Sequence, residues 1–313
     1  MSSGILLYGC SLIYGFTGNL NYEIIFNLLK NHSNLSIGLI FGLVFVITGL
    51  LFKVSAVPFH MWTPDVYEGS PTSFTAFFSI VSKVAAIGLL IRFLMIPFND
   101  FVLDWQQIII FVSIASMIVG SLAAIKQTNF KRLLAYSSIG HMGYLLIGLA
   151  TGSQEGIQAI IIYLIFYIFM NSTLFTILLS IKNKEQYIES IDNFSGLNKK
   201  NPIISIIITI MMFSMAGIPP FAGFFGKFYI FLSALNSDLY FLAIIGVISS
   251  VIAAFYYLKI IKTIYFNEPT INHEILLTFK SKIIILISTV VITFFIIFPT
   301  YIVNISNTAV KFL

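Results

Sequence analysis

The sequence predicts an all-α membrane protein that crosses the bilayer several times. Of its 313 residues, 58% are hydrophobic and only 9% are charged, whereas soluble domains contain about 25% charged residues. Apolar runs long enough to cross about 30 Å of hydrocarbon recur along the whole chain. Because lipid forces backbone polar groups to bond within the protein, these runs are expected to form helices.

Nine apolar segments divide the chain, and eight of them are long enough to span a bilayer. The first segment, at about residues 2–16, is shorter than the roughly 17–25 residues that a crossing needs. It starts without a basic flank, so we interpret it as the end of a longer helix and not as a cleaved signal peptide. The other segments cover about residues 36–57, 72–96, 105–125, 133–151, 157–181, 202–231, 239–261 and 283–304.

The basic residues between these segments predict the orientation of the chain. Most of them fall in the loops after the fourth, sixth and eighth segments, whereas the loops on the other side hold few. By the positive-inside rule, this bias places the C-terminus outside.

Several classes of function are excluded by what the sequence contains. Its one cysteine, Cys10, cannot form an internal disulfide or a cysteine-based zinc or iron–sulfur site. Neither GxGxxG nor GxxxxGK[ST] is present, so no nucleotide site is predicted. The net charge of +5 is attributed to the loops and not to nucleic-acid binding. No metal or cofactor site is therefore expected in this chain.

Three lysines lie within the apolar segments: Lys53, Lys83 and Lys227. A lysine at the centre of a membrane helix costs about 2.5–3.5 kcal/mol on insertion scales. Burial disfavours the charged ammonium, so a buried lysine can gain and lose a proton. Lys83 is the most central of the three, while Lys53 and Lys227 lie nearer segment ends, where snorkelling is the alternative. The three lysines are predicted members of a proton relay.

Two segments, the second and the seventh, are predicted to be broken helices. Proline removes a backbone donor and clashes with the preceding turn, and an interrupted helix at membrane depth needs a lining of protein or water. Paired breaks five helices apart are typical of inverted-repeat transporters. Lys53 precedes the first break and Lys227 follows the second, and both are expected to face the protein interior. The predicted break residues are Pro58 and Pro64 in one segment and Gly217, Pro219, Pro220 and Gly223 in the other.

Two histidines lie close to these features. His60 follows the first break, and His141 lies between the segments that carry Lys83 and Lys227. A lone histidine is often a hydrogen-bonded structural group, but imidazole can also donate and accept protons. Both are candidate relay members, with His141 the better placed.

Three stretches resemble the antiporter-like subunits of respiratory complex I: FKVSAVPFHMWTPDVYEGSPTSFTAFFSIVSK, QTNFKRLLAYSSIGHMGYLLIGL and AGIPPFAGFFGKFYIF. The resemblance runs over nearly the whole chain, and WTPDVYEGSPT and KRLLAYSSIGHMGY are specific motifs. Within the family, the resemblance implies a lysine at Lys227 for the subunit 2 branch (subunit N in bacteria), where a sibling branch has glutamate.

The resemblance implies the antiporter-like fold, with two inverted five-helix repeats in one membrane domain. Residues 1–151 would hold the rest of the first repeat and the start of the second, and residues 152–313 the remainder. Lys53, Lys83 and Lys227 match the family's relay lysines, with His141 near the link between half-channels. NADH, FMN, iron–sulfur clusters and quinone would be bound by partner subunits, so this chain would carry no redox chemistry.

The family's first five and a half helices have no counterpart in this sequence. They include a glutamate that pairs with the family's equivalent of Lys53. The expectation is that a separate polypeptide, from a split gene, supplies these helices. The other expected contacts are further complex I membrane subunits and lipid. Abundant residues with AT-rich codons fit an organellar or an AT-rich bacterial gene. The expected location is the mitochondrial inner membrane, with a bacterial plasma membrane or thylakoid as alternatives.

Two other functions stay open. The chain could be a subunit of an Mrp-type cation/proton antiporter, which uses the same lysines without a redox partner. It could also be a truncated structural subunit that does not conduct protons. Co-purification with NADH-oxidising subunits distinguishes a complex I subunit from an Mrp-type subunit. Proton stoichiometry after lysine replacement distinguishes a proton-translocating complex I subunit from a structural one.

Overall fold

A computed structural model of the chain describes residues 2–30, 35–183, 186–187, 189–269 and 274–311. Within these residues the fold is almost entirely helical. The helices are α1 (Ser2–Thr17), α2 (Tyr22–Leu29), α3 (Ile37–Val54), α4 (Trp62–Gly69), α5 (Thr72–Met95), α6 (Val102–Ile125), α7 (Phe130–Ala150), α8 (Gln154–Ser180), α9 (Leu197–Lys200), α10 (Pro202–Ala216), α11 (Ala222–Asn236), α12 (Tyr240–Phe266), α13 (Phe279–Phe294) and α14 (Pro299–Lys311).

Six of the described helices are long and apolar enough to cross a membrane: α3, α5, α6, α7, α8 and α12. The predicted all-α polytopic class is confirmed. The seventh predicted segment forms α10 and α11, which have 15 residues each. The ninth forms α13 and α14, which are bent by 99°. The last predicted segment is thus divided between two helices. The second of them begins at Pro299, and the residue before a proline is disfavoured in a helical conformation.

Helix α7 is the centre of the bundle, and 94% of its apolar window is buried. Glycines allow this packing, because a Cβ atom on Gly120 of α6 would lie 2.5 Å from the amide nitrogen of Gly140 on α7. Small residues bring membrane helices close together in this way. The helix begins at Asn129, whose side chain accepts a hydrogen bond from the Arg132 amide.

The first break follows a left-handed helix cap. Ser55 has φ 69°, its amide donates to the Phe52 carbonyl, and the Ala56 amide donates to the Leu51 carbonyl. Such bonds satisfy carbonyls that the end of a helix leaves free. A cis peptide bond precedes Pro58.

The second break repeats this arrangement. Gly217 caps α10 with φ 85°, and the Ile218 amide donates to the Phe213 carbonyl at 3.0 Å. A cis peptide bond joins Pro219 to Pro220. Each break therefore has a left-handed residue followed three positions later by a cis proline.

Two predicted break residues lie inside helices. Residues 55–61 and 217–221 are outside the helices, but Pro64 lies in the first turn of α4 and Gly223 in the first turn of α11. Proline is tolerated in a first turn because its missing N–H would have no helical partner there. Gly223 is required for packing, as described below.

One end of the bundle gathers the basic loops. A small antiparallel sheet joins β1 (Ile181–Asn183) to β2 (Gln186–Tyr187) and β3 (Glu274–Ile275). At the same end, Lys199 forms an ion pair with Glu268. The loops that the charge pattern placed on one side of the membrane are thus in contact with each other.

Candidate functional site

Lys83 is fully buried in the middle of α5. Its Nζ donates to the Ser138 hydroxyl on α7 at 2.6 Å, and this hydroxyl in turn donates to the Ala135 carbonyl. The ring of Tyr67, on α4, lies with its centroid 5.5 Å from the same Nζ. No ion pair of Lys83 is found among the described residues, so neutral oxygen and an aromatic ring are its polar surroundings.

His141 lies on α7 and is 2% exposed. Its Nδ1 is 2.6 Å from the Tyr163 hydroxyl, and its Nε2 is 3.0 Å from the Tyr257 hydroxyl. The Ser137 hydroxyl extends this chain by a bond to Tyr257. A neutral imidazole has one donor and one acceptor nitrogen, so one tyrosine donates to the ring and the other accepts from it. The arrangement is able to pass a proton across the ring.

Lys227 is bound by the second break. It lies on α11, is 4% exposed, and donates to the carbonyl oxygens of Met215 and Ala216 at 3.0 Å each. These are terminal carbonyls of α10, which the helix leaves free and which carry the negative end of its dipole. The Tyr144 ring centroid is 4.9 Å from the same Nζ. The break thus supplies the oxygen ligands of a buried cation.

The three groups form one site. Ser138, which accepts the hydrogen bond of Lys83, lies three residues before His141 on α7, so the two face the same side of that helix. A cavity of about 10 Å³ is lined by His141, Tyr144, Lys227 and Tyr257, which is close to the space that one water requires. The site therefore runs from Lys83 through the histidine and its tyrosines to Lys227, and we call it the buried row.

Lys53 and His60 are not part of the buried row. Lys53 lies in the last turn of α3 and is exposed, so the prediction that it faces the protein interior is wrong for the described residues. Its side chain lies on the surface of the bundle, where none of the described residues covers it. His60 lies in the first break and is half-buried, and its Nδ1 is buried without a hydrogen-bond partner among the described residues.

The neutral hydrogen-bond partners of the buried row were not predicted from the sequence. Ser138, Tyr163 and Tyr257 bind Lys83 and His141 through hydroxyl groups. Each lies in a strongly apolar helix, where a buried hydroxyl needs a partner. A buried hydroxyl in an apolar segment indicates that a hydrogen-bond partner exists, but it does not indicate which residue the partner is.

Gly223 joins the two halves of the broken helix. Its amide donates to the Ser214 hydroxyl on α10 at 3.0 Å, and a Cβ atom at this position would lie 1.9 Å from the Ser214 carbonyl oxygen. We expect Gly223→Ala to lower the stability of the assembled protein by about 1–3 kcal/mol, as overpacking does. Thermal unfolding in detergent measures this change.

Gly88→Ala is the matched control for Gly223→Ala. Gly88 is also helical, but a Cβ atom there meets nothing within 4 Å. This variant should be as stable as the parent or up to about 1 kcal/mol more stable, because alanine favours a helix. Equal melting temperatures for the two variants would contradict the packing role of Gly223.

Comparison with known proteins gives a consistent set of matches. The family model described as "NADH:quinone oxidoreductase/Mrp antiporter, TM" matches residues 1–253. The chain is 55% identical over 305 residues to the NADH-quinone oxidoreductase subunit N of Pelagibacter ubique and 50% identical over 304 residues to that of Rhodospirillum rubrum. Each alignment covers 97% of this chain, but 64% and 62% of the relative. The chain thus spans a little under two thirds of these relatives' length.

Solved structures with the same fold include a chain of respiratory complex I from Thermus thermophilus with bound aureothin. Its TM-score is 0.82 at 29% identity, over 97% of this chain and 65% of that one. A chain of the Mrp complex from Dietzia sp. DQ12-45-1b has a TM-score of 0.86 at 23% identity, over 99% of this chain and 65% of that one. At that identity the second match shows the fold alone.

Proposed function

The chain belongs to the NADH:quinone oxidoreductase/Mrp antiporter family of membrane proteins, and we propose that it carries protons in an NADH-quinone oxidoreductase as part of a subunit N. The observation that carries the proposal is the buried row. Two lysines with neutral oxygen ligands flank a histidine that is bonded to two tyrosines. Groups of this kind inside a membrane helix bundle are typical of proton pathways.

The proposed mechanism uses only proton transfer in this chain. A proton on Lys83 or Lys227 is held by neutral acceptors, so a change of charge nearby can release it. His141 takes up a proton on one ring nitrogen and releases one from the other, through the hydroxyls of Tyr163 and Tyr257. NADH oxidation, with its flavin, iron–sulfur clusters and quinone, belongs to partner subunits in this proposal.

Lys53 is proposed to act with a group outside this chain. It is exposed at the end of α3, and no ion pair of Lys53 is found among the described residues. An acidic side chain on a neighbouring membrane helix would hold its charged form. The separate polypeptide expected from the sequence is one source of that helix, together with other complex I membrane subunits. Cross-linking from Lys53→Cys to a partner in the intact complex, followed by mass spectrometry, identifies the source.

Affinity purification tests the proposed assembly. A tagged chain in mildly solubilised membranes should co-purify with subunits that oxidise NADH and reduce quinone. The rate of NADH oxidation by the purified complex should not depend on sodium. Recovery with other ion-transport subunits, without NADH oxidation and with sodium-dependent proton exchange, would favour the Mrp-type alternative.

The membrane is also part of the proposal. The bacterial relatives support a bacterial plasma membrane, and the mitochondrial inner membrane expected from the sequence is the alternative. Fractionation of cells that express the chain from its own gene distinguishes these two locations.

We expect His141→Gln to lower proton translocation more than electron transfer. Glutamine keeps a donor and an acceptor for the two tyrosines, but it does not titrate. General acid–base groups contribute about 10²–10⁴-fold, so the coupled proton rate should fall at least about tenfold. Proton uptake and NADH oxidation are measured together in sealed vesicles. A variant that pumps at the parent rate would show that His141 is a structural hydrogen-bonding group.

A further inference from the structure

A cluster of charged side chains lies at the basic end of the bundle, outside the buried row. Its centre is Lys131, in the first turn of α7, which is only 2% exposed. Its Nζ is 2.6 Å from a carboxylate oxygen of Glu189. Arg132, the next residue, contacts the carboxylates of Asp65 and Glu68 at 3.0 and 2.7 Å. The proposed proton pathway uses none of these residues.

Lys131 binds the end of α4. Besides Glu189, its Nζ donates to the backbone carbonyls of Glu68 at 3.2 Å and Ser70 at 3.0 Å. The last carbonyls of a helix have no partner within the helix and attract a cation. Arg132 binds the carboxylates of Asp65 and Glu68 on the same short helix. Helix α7 therefore contacts both the backbone and the acidic side chains of α4. We call these contacts of Lys131 and Arg132 the α4 clamp.

Helix α4 depends on such contacts for its position. It has only eight residues and no side-chain bond at its N-terminal cap, and helices this short are marginal by themselves. The Thr75 hydroxyl on α5 donates to the Tyr67 carbonyl at 3.1 Å, which attaches α4 to the helix of Lys83. The Trp62 indole donates to the Phe52 carbonyl at 3.0 Å, which attaches α4 to α3. The clamp is a further attachment, and it connects α4 to α7.

The clamp is linked to the buried row through two side chains. Tyr67, on α4, is fully buried, and its ring faces the Lys83 Nζ. Ser138, the hydrogen-bond acceptor of Lys83, lies seven residues after Lys131 on α7, which places both on the same side of the helix. Any shift of α4 along α7 would therefore move the Tyr67 ring relative to Ser138 and Lys83.

The burial of Lys131 separates the clamp from an ordinary surface ion pair. At the same end of the bundle, the side chains of Lys199 and Glu268 are 55% and 88% exposed, and such pairs contribute little. Lys131 has lost its water, and removing one partner of a buried pair leaves the other uncompensated. Three oxygen ligands replace that water, and two of them belong to the end of α4.

We propose that Lys131, supported by Arg132 and Glu189, is a positioning residue that fixes α4 against α7 and so holds the Tyr67 ring at Lys83. The contacts of the clamp support this position of α4. Its consequence for proton transfer rests on the proposed function.

A buried reporter on α4 tests the geometric claim in the intact complex. Thr63 is fully buried, and its hydroxyl has no hydrogen-bond partner among the described residues, so Thr63→Cys is a small change. In a Cys10→Ser background, a membrane-permeant maleimide should label this cysteine slowly. Labelling of its peptide is followed by mass spectrometry.

Lys131→Met should raise the labelling rate by about tenfold or more, because the variant removes the ammonium group that binds the last carbonyls of α4. Lys131→Arg, which keeps the charge and several donors, should restore slow labelling. Lys199→Met removes an exposed lysine at the same end and should leave the rate unchanged. If Lys131→Met prevents assembly, Arg132→Gln is tested in its place. Because Arg132 is more exposed, the expected rise in the labelling rate is roughly threefold.

The outcomes separate the two claims. Unchanged labelling in the assembled Lys131→Met or Arg132→Gln complex would overturn the proposal. Faster labelling with an unchanged number of protons per electron would also overturn it, because the clamp would then be structural only. Faster labelling with fewer protons per electron supports it. If Lys83→Met itself leaves proton translocation intact, the proposed function fails, while the labelling rates still decide the geometry of the clamp.

Discussion

Replacing Lys83 by methionine should reduce NADH-driven proton translocation by roughly tenfold or more, in a complex that still assembles. Lys83 is the fully buried end of the row, and its Nζ is bonded to Ser138. Methionine keeps a flexible apolar stem that fills the same space but has no proton to exchange. Ser138 keeps its bond to the Ala135 carbonyl, so no buried donor is left unpaired. Fluorescence quenching in sealed vesicles measures the proton gradient, and the amount of purified complex measures assembly.

Two further variants make the Lys83 result specific. Lys83→Arg keeps the positive charge, but a guanidinium stays protonated, so this variant should also be impaired. Lys259→Met makes the same replacement at an exposed position of α12 and should pump normally. Normal pumping by an assembled Lys83→Met complex would mean that this lysine takes no part in proton transfer and would favour a structural subunit.

Replacing Lys227 by methionine should produce a loss of proton translocation of similar size, again roughly tenfold or more. Lys227 is bonded to the carbonyls of Met215 and Ala216, which belong to the free end of α10. The variant removes the titratable group at the second break. Because helix-terminal carbonyls accept water as an alternative partner, the break itself should persist. The proton gradient and the amount of complex are measured as for Lys83.

Gly217→Ala perturbs the same lysine without removing it. Gly217 has a positive φ, and a Cβ atom there would lie 3.0 Å from Cδ and 3.3 Å from Nζ of Lys227. A non-glycine residue in this conformation costs about 1–2 kcal/mol. We expect an intermediate loss of proton translocation, smaller than that of Lys227→Met. A parent-like rate in both variants would show that the break does not position a functional lysine.

The intramembrane lysines and the broken helices could be predicted because both violate simple rules of membrane helices. A lysine in an apolar segment, such as Lys83 or Lys227, is conspicuous since its burial is unfavourable. The motifs around Pro58 and Gly217 predict breaks because proline and glycine interrupt helices. These signals are local, and the sequence contains them completely.

The burial and the distant contacts of these residues could not be predicted from local sequence patterns. Proline predicts a break at Pro64 as strongly as at Pro58, but Pro64 lies in the first turn of a new helix, where it is tolerated. Lys53 and Lys227 looked equivalent at two similar breaks, yet one is exposed and the other buried. Their difference comes from which helices pack around each break. The tyrosine partners of His141 come from α8 and α12, and no local pattern identifies such distant contacts.

If the buried row carries protons, replacing both of its lysines should lower the number of protons that the complex moves per electron. The measurement compares the parent complex with one carrying both Lys83→Met and Lys227→Met, and with a Lys199→Met and Lys259→Met control, at equal amounts of assembled complex. We expect the number of protons moved per NADH to fall in the buried double variant and to stay at the parent value in the control. A parent stoichiometry in the fully assembled Lys83→Met and Lys227→Met complex would contradict it.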